Sequence, residues 1–313
     1  MKRRAWAIGL SVALLPLSAP ASELRPGNVA VLYPDIGEPY RSVFAAIVNG
    51  IDDQARGRVV PVQLTATTHA ADVSTELKRK DVKVVIALGR AGINAAARLE
   101  RTVSVVAGGV IAPSDPSQRD WPVLSLAPDP ALLFARLRAL VPGIRRIWVV
   151  HDPRQNDWLI RLARDAARSQ GLELLVFEAQ DLKSAVRQYR EVFANADAKR
   201  DALWLPQDAS TVDDTVVLPM VLEECWGRGL TVFSSSVAHV KRGVLFALYP
   251  DNAGMGRALG RLAQAYVTGD AAQTAGIQPL RDVLLAVNTR TAHHLGVELD
   301  VRRTRFDMIF PEP

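Results

Sequence analysis

The chain has 313 residues, 38 lysines and arginines against 33 aspartates and glutamates, 49% hydrophobic residues and one cysteine. That length suffices for two domains with full cores, and one cysteine excludes an internal disulfide, so stability must come from burial. Three units of the net charge of +5 come from Lys2, Arg3 and Arg4 at the start of the chain, and the remainder does not point to nucleic acid.

Lys2, Arg3 and Arg4 precede the apolar run Ala5 to Leu17 and then Ala19-Pro20-Ala21, whose small residues suit signal peptidase. Residues 1–21 therefore read as a signal peptide, with Ser22 as the mature start. The run is shorter than the about 20 apolar residues that span a bilayer. A lipid anchor would need a cysteine beside the cleavage site, and Cys225 lies far from it. A soluble, exported, periplasmic protein is expected.

Beyond the leader, Val29 to Leu32, Val59 to Leu64, Val82 to Leu88 and Val103 to Ile111 are continuous apolar runs of the kind found in strands covered on both faces by helices. Between them, Tyr40, Phe44, Ile47 and Ile51 form one helical stripe, and Ala91 to Leu99 predicts a shorter helix. The loop from Ile111 to Ser117 and the short apolar segment Val123 to Ala127 follow, with an interdomain crossing expected at Ser125 to Ala127. A helix opens at Asp129-Pro130, with Asp129 as its cap. The alternation then repeats. Strands are predicted at Ile147 to Val150, Leu172 to Phe177, Ala202 to Leu205, Leu230 to Phe233 and Val244 to Tyr249. The helices between them are Trp158 to Ala167, Leu182 to Phe193 (capped by Asp181) and Thr215 to Trp226, the last holding Cys225 as a buried thiol. An amphipathic helix over Gly254 to Val267, a loop from Gly269 to Pro279, a strand at Val283 to Val287 and a short helix ending at Leu295-Gly296 complete the pattern. This is an α/β chain with two Rossmann-like halves and parallel sheets, and its leftover elements imply repeated crossing between them.

Three stretches resemble the ABC-transporter substrate-binding family that includes tryptophan- and tyrosine-binding members. They are Val29 to Pro34, Val232 to Ser236 with Arg242 to Ala247, and Val287 to Gly296. The resemblance spans nearly the whole mature chain and rests on order and spacing. It implies a type I periplasmic binding protein: two lobes, a three-segment hinge, and a ligand in the cleft between them. Lobe one would comprise 22–125 plus 250–276 and lobe two 126–249 plus 277–313, with crossings near Ser125 to Ala127, Tyr249 to Asn252 and Gly276 to Arg281. A membrane permease with its cytoplasmic ATPase would be the partner; a sensory module read by a receptor or kinase is the alternative. Aromatic amino-acid binders of the family carry a His-Pro-x-Leu-Asp type loop after the first strand. Here that loop is Asp35-Ile36-Gly37-Glu38-Pro39-Tyr40, so the ligand does not transfer with the fold.

In open parallel sheets, ligands bind beyond the carboxyl ends of the strands, where helix N-termini offer free N–H groups. The candidate site is therefore Tyr33, Tyr40, Gly89, Arg90 and Gly109 from lobe one, with His151, Asp208, Ser234, Ser235 and Tyr249 from lobe two. Glycines at 89 and 92 would admit close backbone approach, Arg90 could fork onto a carboxylate, Asp208 could take an ammonium, and Tyr33 or Tyr40 could cover an apolar body. An amino acid or related zwitterion fits that set. Catalytic readings are weaker: Gly89-Arg90-Ala91-Gly92 lacks the dinucleotide glycine spacing, no Walker sequence occurs, and Ser234 to Ser236 has no nucleophile-elbow glycines. His293 and His294 are adjacent rather than three or four apart, so no metal is expected. Nor is a cofactor. With no heptads, the chain is expected to be a monomer that is not an enzyme.

Overall fold

The computed structural model describes residues 28–118, 121–269, 275–300 and 304–311. The expected leader and the mature start at Ser22 lie outside them. The chain begins β1 (Val29–Pro34), α1 (Tyr40–Ala55), β2 (Val59–Leu64), α2 (Ala70–Arg79), β3 (Val84–Leu88), α3 (Gly89–Ala96), β4 (Ser104–Val110) and β5 (Pro122–Pro128). It continues α4 (Pro130–Leu140), β6 (Arg146–His151), α5 (Pro153–Ser169), β7 (Glu173–Glu178), α6 (Leu182–Asn195), β8 (Asp201–Leu205), α7 (Val217–Arg228), β9 (Thr231–Ser234), α8 (Val237–Arg242) and β10 (Phe246–Pro250). Last come α9 (Asn252–Thr268), β11 (Gly276–Leu280), β12 (Val283–Asn288), α10 (Thr289–His294) and β13 (Met308–Phe310).

Among the described residues two sheets form, ordered β11-β5-β4-β3-β1-β2 and β13-β12-β10-β9-β8-β6-β7. Both are covered on both faces, which is why their strands read as unbroken apolar runs. In β1, Val29 and Val31 pack on one side with Ile47, Ile51 and Met255, while Ala30 and Leu32 pack on the other with Val73, Leu77 and Ile93. In β6, Ile147 and Val149 face Phe134 and Leu159, and Trp148 and Val150 face Tyr189 and Leu218. At the amino ends of β6 and β8, Arg146 forks onto buried Asp201 with two bonds of 2.7 Å, and Trp148 Nε1 donates to the same carboxylate. Burial pushes the Asp201 pKa up, but these donors and the Asp197 N–H outweigh it and hold the group below the usual carboxylate range.

The expected caps form: Asp129 accepts from Ala131 N, and Asp181 makes a reciprocal box with Ser184. Cys225 is buried, and burial pushes its thiol pKa up. Helix α8 and strand β13 were not anticipated from the sequence, and two further elements differ from its reading. β12 runs antiparallel to β10, the exception in a sheet whose other pairings among the described residues are parallel. The segment read as a loop to Pro279 ends in strand β11; it pairs only with β5, and its register shifts between Gln278 and Leu280. Pro279 sits at that irregularity on an edge strand, where a missing N–H is tolerated.

α9 returns to the first sheet and packs along α1. Gly50 and Gly256 make this seam: a Cβ on Gly50 would overlap the Ala253 carbonyl, and one on Gly256 would overlap the Ile47 carbonyl. The two backbones therefore touch, which pins the returning helix to lobe one.

Candidate ligand site

The carboxyl ends of β1, β3 and β4 lie side by side, because the three strands are parallel neighbours. Gly89 follows β3 at φ 66°, and Gly109 sits at φ 71° where the β4 register shifts between Gly108 and Val110. A Cβ on Gly109 would come within 3.2 Å of both Gly89 N and the Phe44 ring; one on Gly89 would come within 2.9 Å of Phe44 Cζ. The two glycines and Phe44 thus form a single close-packed floor. Arg90, the next residue, is exposed in the first turn of α3. Gly92 does something else: its missing Cβ would stand 2.6 Å from Leu32 O, so it lets α3 lie on β1. Tyr33 is half-buried against the core of α1, while Tyr40 is 59% exposed at the start of α1, near exposed Ile36.

The facing edge of the second sheet is a network of buried polar groups. Asp208 accepts four bonds: from Asp152 N (2.7 Å) and Asn156 Nδ2 (2.9 Å) on Oδ2, and from Ser210 N (3.0 Å) and Thr211 N (3.2 Å) on Oδ1. A carboxylate has about four lone-pair sites, so all are taken, and Asp208 ties the β8–α7 loop to the first turn of α5. Asp152 caps α5 and receives the Arg154 guanidinium, which holds its pKa below the usual carboxylate range. The Ser234 hydroxyl lies 3.0 Å from Leu205 O and 2.8 Å from His239 Nδ1, and accepts from Ser236 N. Ser235 Oγ accepts from Trp204 Nε1 at 3.1 Å. Both serines are fully buried. Asp214 stands 3.6 Å from His239 Nε2, completing the residue types of a serine triad. The Ser234 hydroxyl is spent on Leu205 O, His239 and Ser236 N, so this set locks the β9–α8 turn. Tyr249 is half-buried at the end of β10; burial, then Asp307 and Asp251, push its pKa up.

Three acceptor-bearing side chains at this edge keep buried atoms without a hydrogen-bond partner: His151 Nδ1, Asn156 Oδ1 and Gln207 Oε1. Burial lowers the His151 pKa, so its imidazole is neutral at neutral pH. Asn156 gives its amide N–H to Asp208 and keeps its oxygen free. Asn156 was not among the residues expected from the sequence. Its signal is nonetheless legible: the buried stripe Leu159, Ile160 and Ala163 of α5, extended back one turn, reaches a polar residue.

The sheets are joined at three crossings that bond to one another. Asp129 N donates to Leu280 O (2.8 Å), and Asp251 N donates to Asp282 O (3.0 Å). Ser125 Oγ donates to Ile111 O and accepts from Ala127 N. Asp129, Asp251 and Asp282 face Arg281, Arg257 and Arg261 at 3.8, 3.5 and 3.9 Å. A space of about 480 Å³ separates Arg154, Trp158 and Arg161 of α5 from Gly276 and Ile277 of β11, so a helix on the second sheet and an edge strand of the first wall it.

The model of a family described as ABC transporter substrate binding protein matches residues 134–302, more than half of the chain. The chain belongs to that family. Solved structures similar to this substrate-binding protein include a ligand-free, open substrate-binding protein with adhesive properties from Clostridium difficile, at TM-score 0.61 and 13% identity over 90% of this chain and 98% of that one. Another is an ABC domain in complex with L-Trp from Streptococcus pneumonia, at TM-score 0.54 and 16% identity over 90% and 99%. A third is a periplasmic ribose ABC transporter protein from Conexibacter woesei, at TM-score 0.52 and 15% identity over 91% and 99%. At such identities they show the fold, that of a type I periplasmic binding protein. No curated relative matches this substrate-binding protein. No helix among its described residues is long and apolar enough to cross a membrane.

Proposed function

We propose that this chain is an exported, monomeric solute-binding protein that closes two lobes on a small zwitterion and presents it to a membrane permease with a cytoplasmic ATPase. Lobe one comprises 28–128 with 252–280, and lobe two 130–250 with 283–311. Family membership supports the transport partner, and the leader pattern of residues 1–21 supports export to the periplasm. The observation that carries the reading is the contrast across the cleft. Lobe one ends in an exposed cation, Arg90, on a glycine floor, while lobe two ends in the free acceptors Asn156 Oδ1 and Gln207 Oε1 beside neutral His151.

Arg90 takes the ligand carboxylate in a two-point fork, and the unpartnered oxygens of lobe two, buried in this form, accept from its ammonium or hydroxyl groups once the ligand has entered. Asp208, saturated internally, holds those acceptors in place. Tyr40 and Ile36 cover the apolar body. Only the closed form completes both sets, so ligand favours closure, and the three crossings absorb the rotation.

Mass spectrometry of the small molecule that co-purifies with the mature protein supplies the ligand for calorimetry. Arg90→Ala is expected to weaken binding about 30-fold and Gln207→Ala about tenfold. If both variants bind within threefold of the parent, the site is elsewhere. Small-angle scattering checks closure: a radius of gyration unchanged at saturation overturns the hinge.

A further inference from the structure

A groove of about 640 Å³ lies on lobe two, away from the cleft, between α7, the turn after α8, the start of α10 and Pro311. Gly243 leads into the amino end of β10, and Asn288 ends the antiparallel partner of that strand. The carboxyl end of β10 is a hinge crossing, so the five residues of the strand, about 16 Å, separate groove from cleft.

The groove is built around Trp226, which is 41% exposed yet held in place. His294 stacks on its ring with centroids 3.7 Å apart and planes at 6°, and His294 Nε2 donates to the Trp226 carbonyl at 3.0 Å. The Arg290 guanidinium stands 5.8 Å from the ring centroid. An exposed aromatic with one face already stacked loses little freedom when a flat ligand meets its remaining surface.

Most other polar groups of the lining are spent within the fold. Asn288 accepts from Thr291 N and donates to Val240 O; the Thr291 hydroxyl donates to Gly243 O; Arg242 reaches Asp214 O and its carboxylate. Lys241 and Arg290 are exposed and have no ion-pair partner among the described residues. Glu223 is the acidic side chain of the lining. Lys241 and the Arg290 guanidinium over the Trp226 ring, neither in an ion pair among the described residues, stand beside an apolar wall of Leu222, Trp226 and Pro311, which calls for a ligand that is flat, apolar and anionic.

We propose that this groove is a second binding site, independent of the cleft, for a small aromatic anion whose ring lies against Trp226 and whose carboxylate or sulfonate meets Lys241 and Arg290. Two fluorescent probes of similar body test it: 8-anilinonaphthalene-1-sulfonate, an anion, and neutral N-phenyl-1-naphthylamine. The intact protein is expected to bind the anion, with affinity falling about tenfold in Trp226→Ala and about tenfold in the double variant Lys241→Gln/Arg290→Gln. The neutral probe should lose affinity in Trp226→Ala and stay within twofold in the double variant, whose changes are confined to exposed side chains. Arg90→Ala, which alters the proposed cleft site, should leave anion binding within twofold. The inference is overturned if the intact protein does not bind the anion, if the double variant binds it as the parent does, or if Arg90→Ala abolishes binding.

Discussion

The carboxyl edges of the two sheets meet a ligand from opposite directions in chemistry. On the first, Gly89 and Gly109 at positive φ pack closely against each other and the Phe44 ring, and Arg90 and Tyr40 are exposed. On the second, Asp208, Asp152, Ser234 and Ser235 bond to one another's loops and leave buried atoms of His151, Asn156 and Gln207 without partners. The difference separates stability from recognition. In lobe two, polar residues at strand ends hold the fold, and recognition is left to what remains unsatisfied; in lobe one, the exposed side chains of Arg90 and Tyr40 have no hydrogen-bond partner among the described residues.

If that contrast is right, substitutions in the two edges must fail differently. The largest effect is expected from Asp208→Ala, which strips four donors, three of them buried, of their acceptor and should lower unfolding free energy by about 3–5 kcal/mol in urea titration. A loss below about 1 kcal/mol would show that the network is not structural.

Next comes Gly109→Ala. A left-handed non-glycine residue costs about 1–2 kcal/mol, and the added Cβ meets the Gly89 backbone, which cannot swing aside, so a loss of about 2–3 kcal/mol is expected. A thermal melt matching the parent would remove the close-packed floor from the account.

The histidines with displaced titration, His151 and His239, both lie in lobe two, and burial lowers each in the folded state. Below about pH 6.5 the unfolded chain then binds protons that the folded chain does not, so stability rises with pH through this window and is lost as pH falls. Denaturant midpoints should hold from pH 8 to 7 and then decline, by up to about 1.4 kcal/mol per pH unit for each histidine. His239→Gln should flatten the decline; an unchanged slope in that variant would assign it to other groups.

The smallest expected effect is on the stability of Arg90→Ala. An exposed side chain without a partner should change unfolding free energy by no more than about 0.5 kcal/mol, even as ligand affinity falls. Destabilisation beyond 1 kcal/mol would make Arg90 a structural residue and erase the contrast.

Much of this architecture was legible in order. The predicted strand Val59 to Leu64 coincides with β2, and Leu182 to Phe193 falls within α6, because full burial and helical stripes each leave a local period. Edge elements left weaker traces. β11 contains a glycine and a proline and pairs on one side only, so its composition reads as a loop. The site was half legible. Glycine followed by an arginine is visible after a predicted strand, but whether Ser234, Ser235 and Asp208 face a ligand depends on partners 29 or more residues distant, such as Leu205, Trp204, Asp152 and Asn156, for which chain spacing gives no clue.

The sequence by itself determined the alternation of strand and helix, the parallel character of most of both sheets, the helix caps at Asp129 and Asp181, and the burial of Cys225, since each follows from residue type and local period. Only the tertiary structure decided that α9 crosses back onto α1, that β12 runs against β10, and which polar atoms remain free at the strand ends. The physical reason is that hydrogen-bond capacity is finite. A carboxylate or hydroxyl can recognise a ligand only with the lone pairs and protons its neighbours have not already taken, and those neighbours are chosen by packing rather than by adjacency along the chain.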